Sequence, residues 1–187
     1  MTGLRRDYGQ ATALIDACRF VFYDESGCTT SMTRLYARAP AGVRATGAVP
    51  DSNWKVTTIL GAVRLDGVVD ASTLDCAIDG ESFLAYVQQV LAPALRPGDV
   101  LVMDNLGAHK VSGVRQAVEA VGAMLLYLPP YSPDLNPIEQ CWSKIKKLLR
   151  DAAARTKAAL AEAIANAFAA VSKQDLLNWF RHCGYGL

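Results

Sequence analysis

Two pieces of the chain decide its fold: Val100-Leu101-Val102-Met103-Asp104-Asn105, and Tyr127-Leu128-Pro129-Pro130-Tyr131-Ser132-Pro133-Asp134-Leu135-Asn136-Pro137-Ile138-Glu139. The first reads as a buried apolar strand that ends on a carboxylate. The second leaves another apolar strand, crosses a proline-stiffened loop and delivers a glutamate to the start of a helix. A third acid, Asp24, closes the apolar run Phe20-Val21-Phe22-Tyr23. Three carboxylates at the ends of rigid elements are what a pair of divalent metal ions requires for phosphodiester chemistry.

Between these pieces the pattern alternates strand and helix. Asp99 to Asp104 is predicted as a strand, Ser112 to Val121 as a helix and Ala123 to Leu128 as a further strand, the signature of parallel pairing. Upstream, Arg19 to Asp24, Thr33 to Ala39 and Lys55 to Arg64 are rich in strand formers, with loops at Pro40-Ala41-Gly42 and Gly47-Ala48-Val49-Pro50-Asp51. Phe83, Leu84, Val87, Val90 and Leu91 fall at helical spacing within Gly80 to Leu95. The remainder is helical: Pro137 to Arg150, about Lys157 to Val171, and Lys173 to Arg181, with Ser172 and Asp175 placed for a capping box. The expected architecture is α/β, a ribonuclease-H-like mixed five-stranded sheet flanked by helices, with trailing C-terminal helices. Residues 1–18 read as a leader and 19–187 as one catalytic domain.

Composition supports a single domain. The 187 residues are 51% hydrophobic, sufficient for a substantial core. No apolar run approaches the ~20 residues of a membrane span, and Met1-Thr2-Gly3-Leu4-Arg5-Arg6-Asp7 lacks the apolar segment of a signal peptide. Five cysteines without C-x-x-C spacing are expected as free thiols in a cytoplasmic protein. Net charge is only +1, but its distribution is uneven. Asp66 to Glu81 holds five acids and no base, whereas Lys144 to Lys157 holds six bases against Asp151 alone.

Each acid also has a plain structural reading. Glu139 falls at the third helical position after an Asn136 N-cap and Pro137, where a glutamate often completes a capping box. The helix that follows argues for more. Ile138, Cys141, Trp142, Ile145, Leu148 and Leu149 form a core stripe. Glu139, Ser143, Lys146 and Arg150 form the stripe beside it, suited to holding phosphates next to a metal centre. Trp142 is assigned to the core rather than to base stacking. Asp104 could simply start an Asp-Asn turn, although ligands of open α/β sheets gather at the carboxyl ends of strands. Asp24 competes with Glu25, because adjacent strand residues face opposite ways and only one can join a cluster. His109, five residues past Asp104, reads as a structural or merely solvated loop histidine, with a role near a leaving strand or a metal as the alternative.

Thirty-four residues lie between Asp104 and Glu139. With Trp142, the string Ser132-Pro133-Asp134-Leu135-Asn136-Pro137-Ile138-Glu139 resembles the signature of the mariner superfamily of DDE transposases. Asp24-Glu25-Ser26-Gly27 is similar to that superfamily's first acidic segment and Asp104-Asn105…His109 to its second. Phe180-Arg181-His182-Cys183-Gly184-Tyr185 resembles the close of its bacterial insertion-sequence branch. The resemblance implies a triad of Asp24, Asp104 and Glu139 binding two magnesium ions, or manganese in their place. It implies hydrolytic nicking at transposon ends, then attack of the freed 3′-hydroxyl on target DNA, typically at a TA dinucleotide. Ser143, Lys146, Arg150 and His109 are the expected DNA contacts. Relatives carry N-terminal helix-turn-helix modules, for which only about twenty residues are available here. A helix-turn-helix polypeptide from an upstream frame is therefore an expected partner, together with DNA and a second copy of the chain on that DNA. Rival readings are another ribonuclease-H-like nuclease, such as a junction resolvase, and a non-catalytic DNA-binding remnant.

Overall fold

The computed structural model describes residues 2–51, 56–75 and 77–186; Lys55, the first residue of the strand expected over Lys55 to Arg64, and Cys76 lie outside these. The central strand is β1 (Phe20–Thr29), flanked by β2 (Val56–Arg64) and β4 (Val100–Met103). The sheet order is β3-β2-β1-β4-β5, with β3 at Gly67–Leu74 and β5 at Met124–Tyr127. β1, β4 and β5 run parallel, whereas β1–β2 and β2–β3 are antiparallel. This is the expected ribonuclease-H-like mixed sheet.

The apolar run of β1 is continuous because both of its faces are covered. Phe20 and Phe22 point into a core built with α1 (Thr2–Thr12), α5 (Pro137–Ala152), α6 (Lys157–Ala169) and α7 (Lys173–His182). Val21 and Tyr23 point into a second core on the opposite face. That core is closed by α2 (Gly80–Tyr86), its continuation through a π-helical turn at Val87–Leu91 into α3 (Ala92–Ala94), and α4 (Val114–Ala120). The π turn interrupts the regular spacing expected over Gly80 to Leu95. Phe83, Val87 and Leu91 are buried, and Val90 faces solvent.

One strand is not where the sequence places it. Thr33 to Ala39 is irregular and exposed, with Tyr36 90% accessible. Its β-forming residues cannot pair with β1, the strand that precedes them, since β2 and β4 already occupy both of its sides. The third strand is instead β3, inside the acid-rich segment. Its register pairs Arg64 with Gly67, so Leu65-Asp66 is a two-residue hairpin loop that brings β3 onto the open edge of β2.

Residues 2–12 are a docked helix. The Tyr8 and Tyr185 hydroxyls meet at 2.8 Å, and Tyr185 donates to the Leu135 carbonyl at 2.7 Å. Arg5 donates to Ser132 Oγ at 2.8 Å and pairs with Asp134. The first helix and the C-terminal residues together clamp the proline-rich loop. The capping box on α7 forms as expected: Ser172 Oγ accepts from the Asp175 N–H at 3.2 Å, and Asp175 accepts from the Ser172 N–H at 2.8 Å. Asp175 also receives Lys144 Nζ at 2.6 Å, which ties α7 to α5.

At the end of the sheet remote from the acids, the buried Arg64 guanidinium meets Asp99 at 2.5 Å. Asp99 also accepts the Arg96 N–H at 2.7 Å. Removing one partner leaves an uncompensated charge in the interior. Asp99→Ala should therefore lower the unfolding free energy by ~3–5 kcal/mol, measured as a shift in the urea midpoint at unchanged m-value.

Candidate active site

The sheet register brings the two aspartates together. Phe22 pairs with Val102 in the parallel β1–β4 ladder. Two residues further on, Asp24 and Asp104 therefore stand level on neighbouring strands, at the carboxyl ends where such sheets bind ligands. Glu139 arrives from the third position of α5, and all three acids line one cavity of about 440 Å³. The proline-rich loop forms the rest of its wall. Tyr131 stands at this rim, 87% exposed, with φ of 54°, a left-handed conformation that costs a bulky residue energy.

The choice between Asp24 and Glu25 follows from strand alternation. Asp24 lies on the face of Phe20 and Phe22, towards α5, while Glu25 lies on the face of Tyr23. Glu25 has its own partners there. It accepts from the Tyr23 hydroxyl and contacts His109 Nε2, each at 3.0 Å. The other ring nitrogen, His109 Nδ1, stands 2.7 Å from Asp104 Oδ1, a short contact off the N–H axis.

Two sequence expectations are corrected here. His109 is fully buried, so it cannot touch DNA; it links Glu25 to Asp104 instead. The Tyr127 hydroxyl fixes its backbone by donating to the His109 carbonyl at 2.8 Å. Asn136 is the N-cap residue, but its side chain makes no capping hydrogen bond. It is buried in the cavity wall with Oδ1 lacking a partner among the described residues, and the start of α5 is closed through its backbone carbonyl. No capping box forms, which leaves the exposed Glu139 carboxylate untied.

The charges respond to this setting. Burial pushes the Asp24 carboxyl up to about 6, helped by the negative Glu139 and Asp104 and opposed by hydrogen bonds from the Glu25 backbone and Trp142. Burial also acts to raise Asp104, but His109, the Leu106 N–H and Lys110 outweigh it and hold that carboxyl below its ordinary value. Burial acts to lower His109, yet Asp104 and Glu25 overcome it and raise the imidazole to about 9.

Of the residues assigned to phosphate contact, Ser143 is exposed and Lys146 and Arg150 are half-buried. The neighbouring cations are committed elsewhere, Lys144 to Asp175 and Lys147 to Asp151. Among the described residues Lys146 and Arg150 have no ion-pair partner, so they remain available to an anion.

Sequence reasoning missed one contact. Trp142 is core, as expected, but its indole Nε1 also donates to Asp24 Oδ2 at 2.9 Å. The available signal was its position three residues after Glu139, on the same turn of helix.

The donor set fits a hard divalent cation, being all carboxylate oxygen without cysteine. In the side-chain arrangement described, no three such groups already enclose one ion. Closure would fall to Glu139, the acid that no hydrogen bond restrains among the described residues.

A five-stranded ribonuclease-H-like sheet carrying an Asp-Asp-Glu cluster at its carboxyl end defines a class of metal-dependent phosphodiester enzymes. The chain belongs to the family of DDE superfamily endonucleases, whose model matches residues 19–161. Among solved structures it is similar to the Mos1 transposase paired-end complex with left transposon end, with a TM-score of 0.78 and 17% identity over 97% of this chain and 57% of that one. The Mos1 mariner paired end complex with Mn gives 0.75 and 18%, covering 96% and 58%. The catalytic domain of Mos1 mariner transposase gives 0.65 and 15%, covering 96% and 88%. This chain thus spans little more than half of the longer Mos1 chains. No curated protein matches it by sequence.

The raised Asp24 carboxyl has a consequence for stability. Its folded-state value of about 6 lies above the ~3.9 of an unfolded aspartate, so the folded chain holds that proton more tightly. Its ionisation therefore costs stability as pH rises between these values. Without metal, Asp24→Asn should stabilise the protein above pH 6 by up to ~3 kcal/mol, with the difference vanishing below pH ~4. Urea denaturation in EDTA at both ends of this window measures it.

Proposed function

We propose that this chain is the catalytic domain of a DNA transposase, which cuts DNA at transposon ends and joins the freed ends to target DNA. The observation that carries the reading is the convergence of Asp24, Asp104 and Glu139 on one cavity. The acids come from three separate elements of a DDE-family fold. A drifting, non-catalytic remnant would lose such acids before it lost its core.

In the first reaction, water attacks phosphorus and the phosphorus–O3′ bond breaks, leaving a 3′-hydroxyl and a 5′-phosphate. In the second, that 3′-hydroxyl attacks a target phosphodiester, forming a new phosphorus–oxygen bond as the target strand's own 3′-oxygen departs with a proton. Two magnesium ions, or manganese, would strengthen the attacking oxygen and neutralise the departing one when bound to these acids. Asp24 and Asp104 would hold them from fixed positions on the sheet, and Glu139 from the helix. Lys146 and Arg150, with Ser143, would bind the flanking phosphates and keep the scissile one in line.

Manganese and magnesium complexes of Mos1 support the choice of metal. Its paired-end complexes support DNA as partner and two copies acting together. We also propose that recognition of the transposon ends comes from a helix-turn-helix polypeptide encoded upstream. A cytoplasmic site of action suits the free cysteines 18, 28, 141 and 183.

Glu139→Gln should give a folded protein that no longer nicks a supercoiled plasmid in manganese. Continued nicking would return Glu139 to a purely structural role. Magnesium should raise the melting temperature of the wild type by binding its folded state, and Asp104→Asn should remove most of that rise. An identical response in both proteins would overturn the site.

A further inference from the structure

We propose that Trp142 is a positioning residue for the metal site: its indole N–H holds Asp24 Oδ2 and so fixes the carboxylate in one orientation at the cavity. The proposal rests on the transposase reading above and adds to it a role, beyond core packing, for Trp142.

Three observations combine. Trp142 Nε1 lies 2.9 Å from Asp24 Oδ2, so one of the two carboxylate oxygens is already committed to the protein. The indole is buried between the sheet and the helices that cover it, with the Phe168 ring packed edge-on against it at a centroid distance of 6.0 Å. The residue paired with Asp24 across the β1–β2 ladder is Gly61. A Cβ built at Gly61 would stand 2.6 Å from Trp142 Cη2 and 3.1 Å from Cζ2. The indole therefore occupies the space where the cross-strand neighbour of Asp24 would carry its side chain. No other residue type at position 61 would let the ring reach Asp24 in this pose.

The arrangement does more than pack. A phenyl ring would fill most of the same slot, but it has no donor. A carboxylate free to rotate can present either oxygen or both. One with Oδ2 held from behind keeps a single orientation and loses less freedom on binding a cation. Partners behind a metal ligand typically contribute ~10–100-fold in metal affinity.

The test compares manganese binding to the full chain, read from the electron paramagnetic resonance signal of free Mn²⁺, in wild type, Trp142→Phe, Gly61→Ala and Phe168→Leu. Trp142→Phe removes the donor and keeps a ring. Gly61→Ala keeps the indole but displaces it. Phe168→Leu loosens the same core without touching the hydrogen bond. The expected result is ~10–100-fold weaker Mn²⁺ binding in the first two and wild-type binding in the third, despite its lower melting temperature. Plasmid nicking by the first two should show reduced kcat at unchanged KM for DNA. If Trp142→Phe does not fold, Gly61→Ala decides alone. Wild-type Mn²⁺ affinity in the folded donor variants, or an equal loss in Phe168→Leu, overturns the positioning role and leaves the transposase reading standing. Failure of the wild type itself to bind Mn²⁺ overturns both.

Discussion

Gathering three carboxylates at one end of a sheet is electrostatically unfavourable, and much of this structure can be understood as the means of holding them there. Two lie on adjacent parallel strands, whose axes are separated by only ~4.8 Å. The third projects from a helix that packs across the same sheet. Burial, with a smaller contribution from mutual repulsion, raises Asp24 to about 6, so the site is least comfortable in the ionised form that a cation needs. The opposing terms are local and directional. Trp142 donates to Asp24, and the Leu106 N–H donates to Asp104 at 3.0 Å. His109, raised to about 9 between Glu25 and Asp104, brings positive charge against Asp104.

The same constraint explains why parts of the fold distant from the acids matter to them. Glu139 can stand at the cavity only if α5 begins where it does, and α5 begins where the proline-rich loop releases it. That loop is held by Arg5 of α1 at Ser132 and Asp134, by the Tyr185 hydroxyl at the Leu135 carbonyl, and by Asn105 Nδ2 at the Leu128 carbonyl. Both termini of the chain thus act on the position of one helix N-terminus. A core stripe on α5, Ile138, Cys141, Trp142, Ile145 and Leu149, then seats it on the sheet.

The sheet and the acids were legible in the sequence because their signals are local. A run such as Val100 to Met103 is buried on both faces whatever its neighbours, and Asn136-Pro137 starts a helix through backbone geometry alone. What depended on partners was not legible. Thr33 to Ala39 and Gly67 to Leu74 differ less in strand propensity than in access to an edge, and only the two-residue loop at Leu65-Asp66 settles which one pairs. Asn136 carries the side chain of an N-cap but spends it in the cavity wall. His109 and Trp142 look like a loop histidine and a core aromatic, and their N–H groups acquire meaning only once the register places Asp24 and Asp104 beside them. The helical character of residues 2–12 was hidden for the same reason, since the contacts of Tyr8 are made with the far end of the chain.

The three acids are not equivalent, and the difference is built in before any ion arrives. Asp24 and Asp104 are half-buried and each has hydrogen-bond donors behind it, whereas Glu139 is exposed and tied to nothing among the described residues. A capping box would have removed that freedom by engaging Glu139 with the Asn136 N–H, but that N–H is bonded to the Pro133 carbonyl at 3.0 Å. The short helical turn at Pro133–Leu135 therefore does two things at once. It satisfies a backbone donor that the helix start would otherwise leave to a side chain, and it thereby leaves the glutamate free to turn. In the proposed chemistry this separates two fixed ligands, which set where a cation sits, from one adjustable ligand, which can follow the charge as the phosphate is transferred. The proline-rich signature is then more than a stiff connection. Its backbone hydrogen bonds keep the third carboxylate free.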